Sequence, residues 1–386
     1  MKKYKIAIIA LFKGGIGHYI SQLSSYLAED FDIEYISYKQ GLPGDEVKLD
    51  DPAINRNIKN IHLVISVDNY KEVNESIFQT VKILKDKKIE ILNVHIGTIA
   101  RETSYLLIPI ILIAKQMGIK IIYTFHDVEP FEEFVGGKEL LKLLYLLADG
   151  ATIGNKNEMK TLINKYGFDQ KKLSFAPHGI YSIFDFNKYD KNTAKEHLNI
   201  PQDKKVILNF GILRPYKGFD DTIKAMPEIL KKHPNAFLHI SAGVRVFGGP
   251  ENLQKLVEDL QLENKSRLIF DFVPSEEIEP IFKAAEIVVL PYKKVSQSGI
   301  LNLALYFNKP IVLSDLFFEA KDIKDKLGII ISPGKPDLIA EAVNKLLSDK
   351  NLYNLFQENI KNYIKNDVWR KNFQSFRQVV EKAMNE

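Results

Sequence analysis

Two basic side chains, Arg214 and Lys217, lie three residues apart between Gly211 and Gly218. The segment follows a short apolar run and precedes a helical pattern, so both cations are expected where a strand ends and a helix begins. Arginine binds phosphate through a forked set of donors, lysine binds it as a compact charge, and a helix N-terminus adds backbone N–H groups. Surface cations are usually only solvated, but this placement between two glycines predicts a cradle for a diphosphate.

A second polar loop leads into an apolar helical stretch, and it contains the run Ser296-Gln297-Ser298-Gly299-Ile300. Ser298 has the residue type and the position of a helix N-cap. The backbone N–H groups of Gly299 and Ile300 can equally hold phosphate oxygens. The two roles are compatible, so the loop is a second candidate for phosphate binding.

Three glycines fall in four positions after the first apolar run, at Gly14, Gly15 and Gly17, and His18 follows them. Glycine lets a ligand approach the backbone closely and exposes N–H groups to an anion. The spacing differs from the G-x-G-x-x-G pattern of dinucleotide-binding proteins. A plain strand-to-helix turn explains this loop as well as an anion site does.

The pair His126-Asp127 follows another apolar run. A histidine at the end of a strand can bond to a substrate hydroxyl or act as a general base. For a lone His-Asp pair, a structural histidine bonded to loop carbonyls is the more common role. His178, in Pro177-His178-Gly179, is predicted to be a turn residue near a hinge between domains.

The elements that must position these residues alternate along the whole chain. Short runs that are apolar throughout indicate strands buried on both faces, hence parallel sheets covered by helices, and the alternation predicts the doubly wound α/β class. The predicted strands are Lys5–Ala10, Ile33–Ser37, Ile61–Val67, Ile89–His95, Ile119–Phe125, Ala151–Ile153, Lys172–Ala176, Lys205–Phe210, Phe237–Ser241, Leu268–Phe272, Ile287–Leu290, Pro310–Leu313 and Gly328–Ile331.

A length of 386 residues indicates two domains at roughly 150 residues each. The polar stretch Tyr181–Lys204 is predicted to link them, which gives domains at about 1–185 and 200–365. Apolar residues at helical spacing predict a last amphipathic helix over 366–386. In two parallel-sheet domains the carboxyl ends of the strands are expected to face a shared cleft, where ligands bind.

Composition excludes several classes of protein. Hydrophobic residues make up 45% and charged residues 26%, which is ordinary for a soluble globular protein. The chain has no cysteine, so disulfides, thiolate metal sites and thiol nucleophiles are excluded, and a reducing cytosol fits. The net charge of +4 permits weak attraction to phosphate or anionic lipid, and we expect no nucleic-acid partner.

Neither apolar run that could suggest a membrane segment is long enough for one. The run Ile6–Phe12 is followed by Lys13-Gly14-Gly15 rather than a signal-peptide cleavage site, so it is predicted to be a buried strand. The run Tyr105–Ala114 is far shorter than the roughly 20 residues of a membrane span, and a buried helix is favoured over an interfacial one. We expect a cytoplasmic protein with at most peripheral contact at the inner membrane face.

Four motifs, in this order, resemble those of glycosyltransferase family four, which has the GT-B fold: Gly14-Gly15-Ile16-Gly17, His126-Asp127, Phe210-Gly211 through Tyr216-Lys217-Gly218, and Leu290-Pro291 through Ser298-Gly299. The resemblance runs along nearly the whole chain, and its second half is the more specific. It implies two Rossmann-like, doubly wound domains that face a central cleft, with the last helix crossing back to the first domain.

The resemblance also implies roles for the residues singled out above. His126 would lie near the transferred sugar, while Arg214 and Lys217 would neutralise the leaving diphosphate. His18 and Asp127 would lie on the acceptor side. The implied donor-binding residues are Gly15, Gly17, Gly211, Ser296, Gln297, Ser298, Gly299 and Ile300. No metal and no cofactor is implied beyond a UDP- or GDP-linked sugar as co-substrate.

The implied activity is transfer of a hexose-type sugar to a glycan, a lipid-linked acceptor or a small molecule, with retention of anomeric configuration. Ser296 and Ala304 stand where the family usually has two glutamates. The alternative is therefore a weak or silent protein that only binds sugar nucleotides. A third interpretation is an isomerase of the same GT-B fold that acts on a free sugar nucleotide. If Ala304 faces the ribose, Ala304→Glu is expected to tighten nucleotide binding, since a hydrogen bond to a charged group contributes about 1.5–3 kcal/mol. If the pocket has instead closed around this small side chain, the buried, unpaired carboxylate is expected to destabilise the protein.

Overall fold

The structure is a computed structural model that describes residues 3–10, 12, 14–38, 51–58, 61–64, 70–97, 101–128, 137–243, 250–295, 298–317 and 319–386. The chain divides into two compact units. The first comprises Met1–Gly179 together with Asp367–Glu386, and the second comprises Ile180–Asn366.

The first unit is built on a parallel sheet of seven strands in the order β3-β2-β1-β4-β5-β6-β7. Its central strands are buried along their length because helices cover both faces, as their apolar sequences predict. The strands are β1 (Tyr4–Ala10), β2 (Phe31–Tyr38), β3 (Ile61–Val64), β4 (Ile91–Ile96), β5 (Lys120–Phe125), β6 (Gly150–Ile153) and β7 (Leu173–Phe175).

The helices of this unit are α1 (Gly14–Asp30), α2 (Pro52–Asn55), α3 (Tyr70–Asp86), α4 (Arg101–Gln116), α5 (Gly137–Leu146), α6 (Lys156–Tyr166) and, last in the chain, α15 (Val368–Asn385). The apolar run that ends at Ala114 lies in α4, where Leu106, Ile110, Ile111 and Ala114 pack into the core of the unit. Among the helices described, none combines the length and the apolar character needed to cross a membrane.

The helix α15 packs on β5, β6, β7 and α1 of the first unit. Its buried face carries Trp369, Phe373, Phe376, Val379 and Val380. The side chain of Asn372 in α15 donates to the Tyr19 hydroxyl at 2.8 Å and to the carbonyl oxygen of Pro177 at 2.9 Å. The helix is therefore part of the core of the first unit rather than an appendage to it.

The second unit has a parallel sheet of six strands in the order β10-β9-β8-β11-β12-β13. The strands are β8 (Lys205–Ile212), β9 (Ala236–Gly243), β10 (Ser266–Ile269), β11 (Ala285–Leu290), β12 (Ile311–Ser314) and β13 (Gly328–Ile331). Each strand of the two sheets overlaps a run predicted from the sequence, so the predicted doubly wound α/β class is confirmed.

The helices of the second unit are α7 (Lys191–His197), α8 (Phe219–Lys232), α9 (Glu251–Asp259), α10 (Ser275–Ala284), α11 (Gly299–Tyr306), α12 (Ala320–Ile323), α13 (Pro336–Ser348) and α14 (Lys350–Tyr363). Short 3-10 helices cover Gln170–Lys172 in the first unit and Pro215–Lys217 and Glu263–Lys265 in the second.

The stretch predicted to be a linker, Tyr181–Lys204, instead packs within the second unit. The buried carboxylate of Glu279 in α10 accepts from the backbone N–H groups of Phe186 at 3.1 Å and Lys188 at 2.9 Å. The helix α7 then forms behind a capping box made by Asp190 and Thr193. Many side chains of the stretch are exposed and polar, so the sequence pattern does not show that its backbone is held by a helix of the second unit.

In each sheet the strand order reverses once, between β1 and β4 in the first unit and between β8 and β11 in the second. Ligands of doubly wound folds bind at such switch points, outside the carboxyl ends of the strands. The loops after β1, β8 and β11 contain motifs singled out from the sequence, so these switch points are the candidate ligand sites of the two units.

Candidate functional sites of the two units

In the second unit, the loops that follow β8 and β11 touch each other. Gly218 ends the 3-10 helix Pro215–Lys217 with a φ of +68°, and a Cβ atom there would lie 2.6 Å from the carbonyl oxygen of Pro291. The backbone N–H of Lys293 donates to the carbonyl oxygen of Tyr216 at 2.6 Å. Glycine is required at 218 both for the left-handed backbone and for this close approach.

Lys217 lies on the ring of the buried Tyr292, with its Nζ atom 3.8 Å from the ring centroid. Desolvation lowers the pKa of Lys217 to about 8. No ion pair to Lys217 is formed by the residues that the structure describes. A half-buried cation supported by an aromatic face and lacking a carboxylate partner favours the arrival of an anion.

The neighbouring Lys293 is different, because its charge is already neutralised. Its Nζ atom lies 3.2 Å from the Asp220 carboxylate and 3.0 Å from that of Asp221, both in the first turn of α8. Of these two lysines, Lys217 is therefore the one suited to bind a phosphate.

The N-terminus of α11 lies beside the loop that follows β8 and carries Lys217. Ser298 holds the N-cap position, but its side chain makes no capping hydrogen bond, and its Oγ atom lies 3.5 Å from the Tyr292 hydroxyl. The first N–H groups of a helix have no partner within the helix, so those of Gly299 and Ile300 can bind an external acceptor. Ser296 and Gln297 lie outside the described residues.

The end of β8 comes close to the start of α11. A Cβ atom on Gly211, whose φ is +142°, would lie 3.9 Å from the Ile300 side chain. Arg214 occupies the extended position just before the 3-10 helix Pro215–Lys217 and is half-buried. The structure therefore brings Gly211, Lys217, Ser298 and Ile300 to one edge of the second sheet, and Arg214 lies in the loop between them.

In the first unit, the glycines after β1 have different surroundings. A Cβ atom on Gly17 would lie 2.8 Å from the Ile54 side chain and 3.0 Å from the Phe12 backbone, whereas one on Gly15 would meet no atom within 4 Å. Gly17 is thus needed for packing, and Gly15 is the one with open space. His18 bonds through Nε2 to the Asp51 carboxylate at 3.0 Å.

Among the described residues, the side chain of His126 bonds to another histidine rather than to a loop carbonyl. Its Nε2 atom lies 2.9 Å from Nδ1 of His95, and Nε2 of His95 lies 3.0 Å from Oδ1 of Asn93. Asn93 and His95 belong to β4, and the sequence interpretation did not single them out. The available signal was two polar residues spaced by two, hence on one face, in an otherwise apolar strand. Asp127, next to His126, is half-buried.

Four aromatic rings surround Tyr19 of α1, near the carboxyl ends of β4 and β5. Its ring centroid lies 4.8 Å from that of His126, 5.9 Å from His95, 5.2 Å from His178 and 5.0 Å from Trp369. His178, predicted to be a turn residue, thus belongs to a histidine cluster with His95 and His126. Within the described residues, no three histidine or acidic side chains are placed to hold a metal ion.

Burial determines the charge of this histidine cluster. Desolvation lowers the pKa of His126 to about 3 and that of His178 to about 4, and it also lowers the pKa of His95 well below its ordinary value. The three imidazoles are therefore neutral at pH 7, and His126 is a weak base.

For Ala304, the structure favours the second of the two expectations, in which the surroundings have closed around the small side chain. Its side chain is fully buried in α11, so a glutamate there would lie in the core without a partner. We expect Ala304→Glu to lower the free energy of unfolding by several kcal/mol rather than to tighten nucleotide binding. Urea titration measures this, with Ala304→Ser as the small polar control. An unchanged unfolding midpoint for the glutamate variant would contradict the buried position.

Comparison with known proteins finds a sequence family that matches the second unit and solved structures that match nearly the whole chain. Residues 190–363 match the family described as glycosyl transferases group 1. An uncharacterized glycosyltransferase of Methanocaldococcus jannaschii is 33% identical over 195 residues, which are 49% of this chain and 47% of that protein. The chain spans less than two thirds of the length of the first curated relatives it matches.

Two solved structures resemble nearly the whole chain. Sucrose-phosphate synthase from Thermosynechococcus elongatus matches with a TM-score of 0.77 and 14% identity, over 99% of this chain and 100% of that one. Anabaena HepE, solved in complex with UDP-glucose, matches with a TM-score of 0.73 and 16% identity, over 99% and 100%. The chain therefore has the GT-B fold with two Rossmann-like units, and its residues 190–363 are similar to the glycosyl transferases group 1 family.

Proposed function

We propose that this protein transfers a hexose-type sugar from a UDP- or GDP-linked donor to a glycan, a lipid-linked acceptor or a small molecule, with retention of anomeric configuration. The observation that carries the proposal is Lys217, a half-buried cation without a carboxylate partner among the described residues, beside the N-terminus of α11. The complex of HepE with UDP-glucose supports a nucleotide-sugar donor.

The proposed chemistry depends on charge at the diphosphate. As the glycosidic bond of the donor breaks, negative charge grows on the leaving phosphate oxygen. Lys217, Arg214 and the N–H groups of Gly299 and Ile300 would stabilise that charge more strongly in the transition state than in the bound donor. The resemblance implies Gly15, Ser296 and Gln297 as further donor contacts. It implies His18 and Asp127 as contacts on the side of the acceptor.

His126 would orient a hydroxyl group rather than remove its proton. With a pKa of about 3 it holds a proton too weakly to act as an efficient general base near pH 7. The leaving phosphate oxygen would itself accept the proton of the acceptor hydroxyl. This mechanism needs no carboxylate base and no metal, and the absence of cysteine fits a cytoplasmic location.

A thermal-shift screen with UDP, GDP, ADP and their sugar derivatives tests the donor class. We expect one nucleoside diphosphate and its sugars to raise the melting temperature, because a ligand at 100 times its dissociation constant stabilises the folded state by about 2.7 kcal/mol. The donor that binds is then incubated alone, and slow release of free sugar distinguishes an enzyme from a silent sugar-nucleotide binder. The proposal is wrong if none of these nucleotides shifts the melting temperature.

A further inference from the structure

The orientation of the Asn93 amide in β4 is fixed by its neighbours in β5. Its Nδ2 atom lies 3.0 Å from the carbonyl oxygen of Ile122 and 3.1 Å from Oγ1 of Thr124. A carbonyl oxygen can only accept a hydrogen bond, so the amide nitrogen must face Ile122. The Oδ1 atom of Asn93 therefore points to His95, and it can only accept.

This orientation determines where His95 carries its proton. The Nε2 atom of His95 lies 3.0 Å from Oδ1 of Asn93 and must donate to it. Burial keeps the His95 imidazole neutral by lowering its pKa well below the ordinary value, so only one nitrogen is protonated. The Nδ1 atom of His95 therefore carries a lone pair, and it lies 2.9 Å from Nε2 of His126.

We propose that Asn93 and His95 are positioning residues for His126: their hydrogen bonds hold the proton of His126 on Nε2 and leave the lone pair of Nδ1 to accept a hydrogen bond from a hydroxyl group. The described residues form no hydrogen bond to His126 Nδ1, while its backbone N–H is held by the carbonyl oxygen of Ile96 at 2.7 Å. We call Asn93, His95 and His126 the imidazole chain.

The imidazole chain orients a proton but does not conduct one. A proton passed from His126 to His95 and onward would have to be accepted by the Asn93 amide, which is not a base at neutral pH. The chain also selects its partner, because a neutral nitrogen lone pair accepts from a hydroxyl but repels a phosphate or carbonyl oxygen. That this hydroxyl belongs to a sugar substrate rests on the proposed function.

Nitrogen-15 NMR of protein labelled at histidine tests the tautomer without any substrate, because the chemical shift separates protonated from unprotonated imidazole nitrogens. We expect His126, assigned by the loss of its signals in His126→Gln, to be protonated on Nε2 at pH 7. In Asn93→Leu no acceptor fixes the tautomer of His95, so both tautomers of His126 should be populated. The matched control is Thr152→Val, which removes a hydroxyl 3.3 Å from Thr124 Oγ1 and should leave the tautomer unchanged.

Two replacements of His95 test the effect on turnover. Glutamine can donate to Asn93 through its amide nitrogen and accept from His126 through its oxygen, whereas leucine can do neither. We expect His95→Leu to lower kcat by about tenfold, the effect of losing one hydrogen bond of ordinary strength, and His95→Gln to recover most of that loss. A purely structural role would not separate these variants once both are shown to be folded by circular dichroism.

The outcomes distinguish this inference from the proposed function. Protonation of His126 on Nδ1 in the wild-type protein would overturn the inference, as would equal losses in His95→Leu and His95→Gln. If the protein transfers no sugar, the NMR result still decides the tautomer, since it requires only the folded chain. A His95→Leu chain that does not fold leaves the wild-type tautomer and the glutamine variant as the deciding measurements.

Discussion

The substitutions Lys217→Ala and Arg214→Ala are each expected to lower kcat roughly 30- to 1000-fold. This corresponds to a loss of about 2 to 4 kcal/mol of transition-state stabilisation. This is the scale for removing one preorganised donor from developing charge. For Lys217 the structure adds a reason, because its cation lies on the Tyr292 ring at 3.8 Å and is without an ion-pair partner among the described residues. Steady-state kinetics with the donor identified by the nucleotide screen measures the loss.

Two controls separate this effect from a loss of folding. Lys217→Met keeps an unbranched apolar stem over Tyr292 and should lose turnover without a lower melting temperature, because desolvation already disfavours the charge in the folded protein. Lys231→Ala, on the exposed face of α8 and paired with Glu228, should leave kcat unchanged.

The pH dependence of nucleotide binding gives a third check on the same lysine. Burial lowers the pKa of Lys217 to about 8, and a bound diphosphate favours the protonated amine. Affinity should therefore weaken as pH rises above about 8, by up to about tenfold per pH unit, and Lys217→Met should lose this dependence.

For the alanine substitutions, unchanged turnover in both Lys217→Ala and Arg214→Ala would show that the diphosphate binds elsewhere.

Acidification from pH 7 to pH 5 is expected to destabilise the first unit strongly. The pKa is lowered to about 3 for His126 and to about 4 for His178, from an ordinary value of 6.5, and that of His95 is lowered as well. The unfolded chain thus binds more protons between pH 6.5 and these lowered values, so stability is complete above about pH 6.5 and falls as the pH decreases below it. At pH 5 the loss is about 2 kcal/mol for each of His126 and His178.

Together these two losses, about 4 kcal/mol, are close to the lower end of the 5–15 kcal/mol that holds a typical protein folded, and His95 changes stability in the same direction. The single tryptophan of the chain, Trp369, reports on this region, since its ring lies 5.3 Å from that of His178 and 5.0 Å from that of Tyr19. Urea titrations followed by Trp369 fluorescence at pH 7, 6 and 5 measure the change. In His178→Asn the slope of the free energy of unfolding against pH should fall by the equivalent of up to one proton. An unfolding midpoint that stays constant from pH 7 to 5 would contradict the prediction.

The sheets could be predicted from the sequence because their strands are apolar on both faces and are separated by helical patterns. The start of the second unit could not be predicted in this way. The polar segment before Lys205 is held by the buried carboxylate of Glu279 in α10, and the sequence of a helix does not show which backbone N–H groups such a carboxylate will bind. Likewise, Ala304 was expected to face a ribose by resemblance, whereas its burial follows from how α11 packs.

The candidate site was predictable where chemistry depends on neighbours in sequence. The glycines and cations at 211–218 form one short segment, so a phosphate loop could be proposed from the sequence alone. The partner of His126 could not be predicted in this way, because His95 lies 31 residues away and meets it only when β4 and β5 pair. Polar residues on one face of a buried strand are the signal to search for in such cases.

The packing of α15 on the first unit has a consequence for how the chain folds during synthesis. The core of that unit includes Trp369, Phe376 and Val379, so β1 to β7 remain incomplete until the ribosome has passed these residues. All of the second unit, Ile180–Asn366, has been made by then. The unit whose strands are synthesised first is thus the last to be completed, and a chain interrupted before α15 exposes the apolar surface that this helix covers.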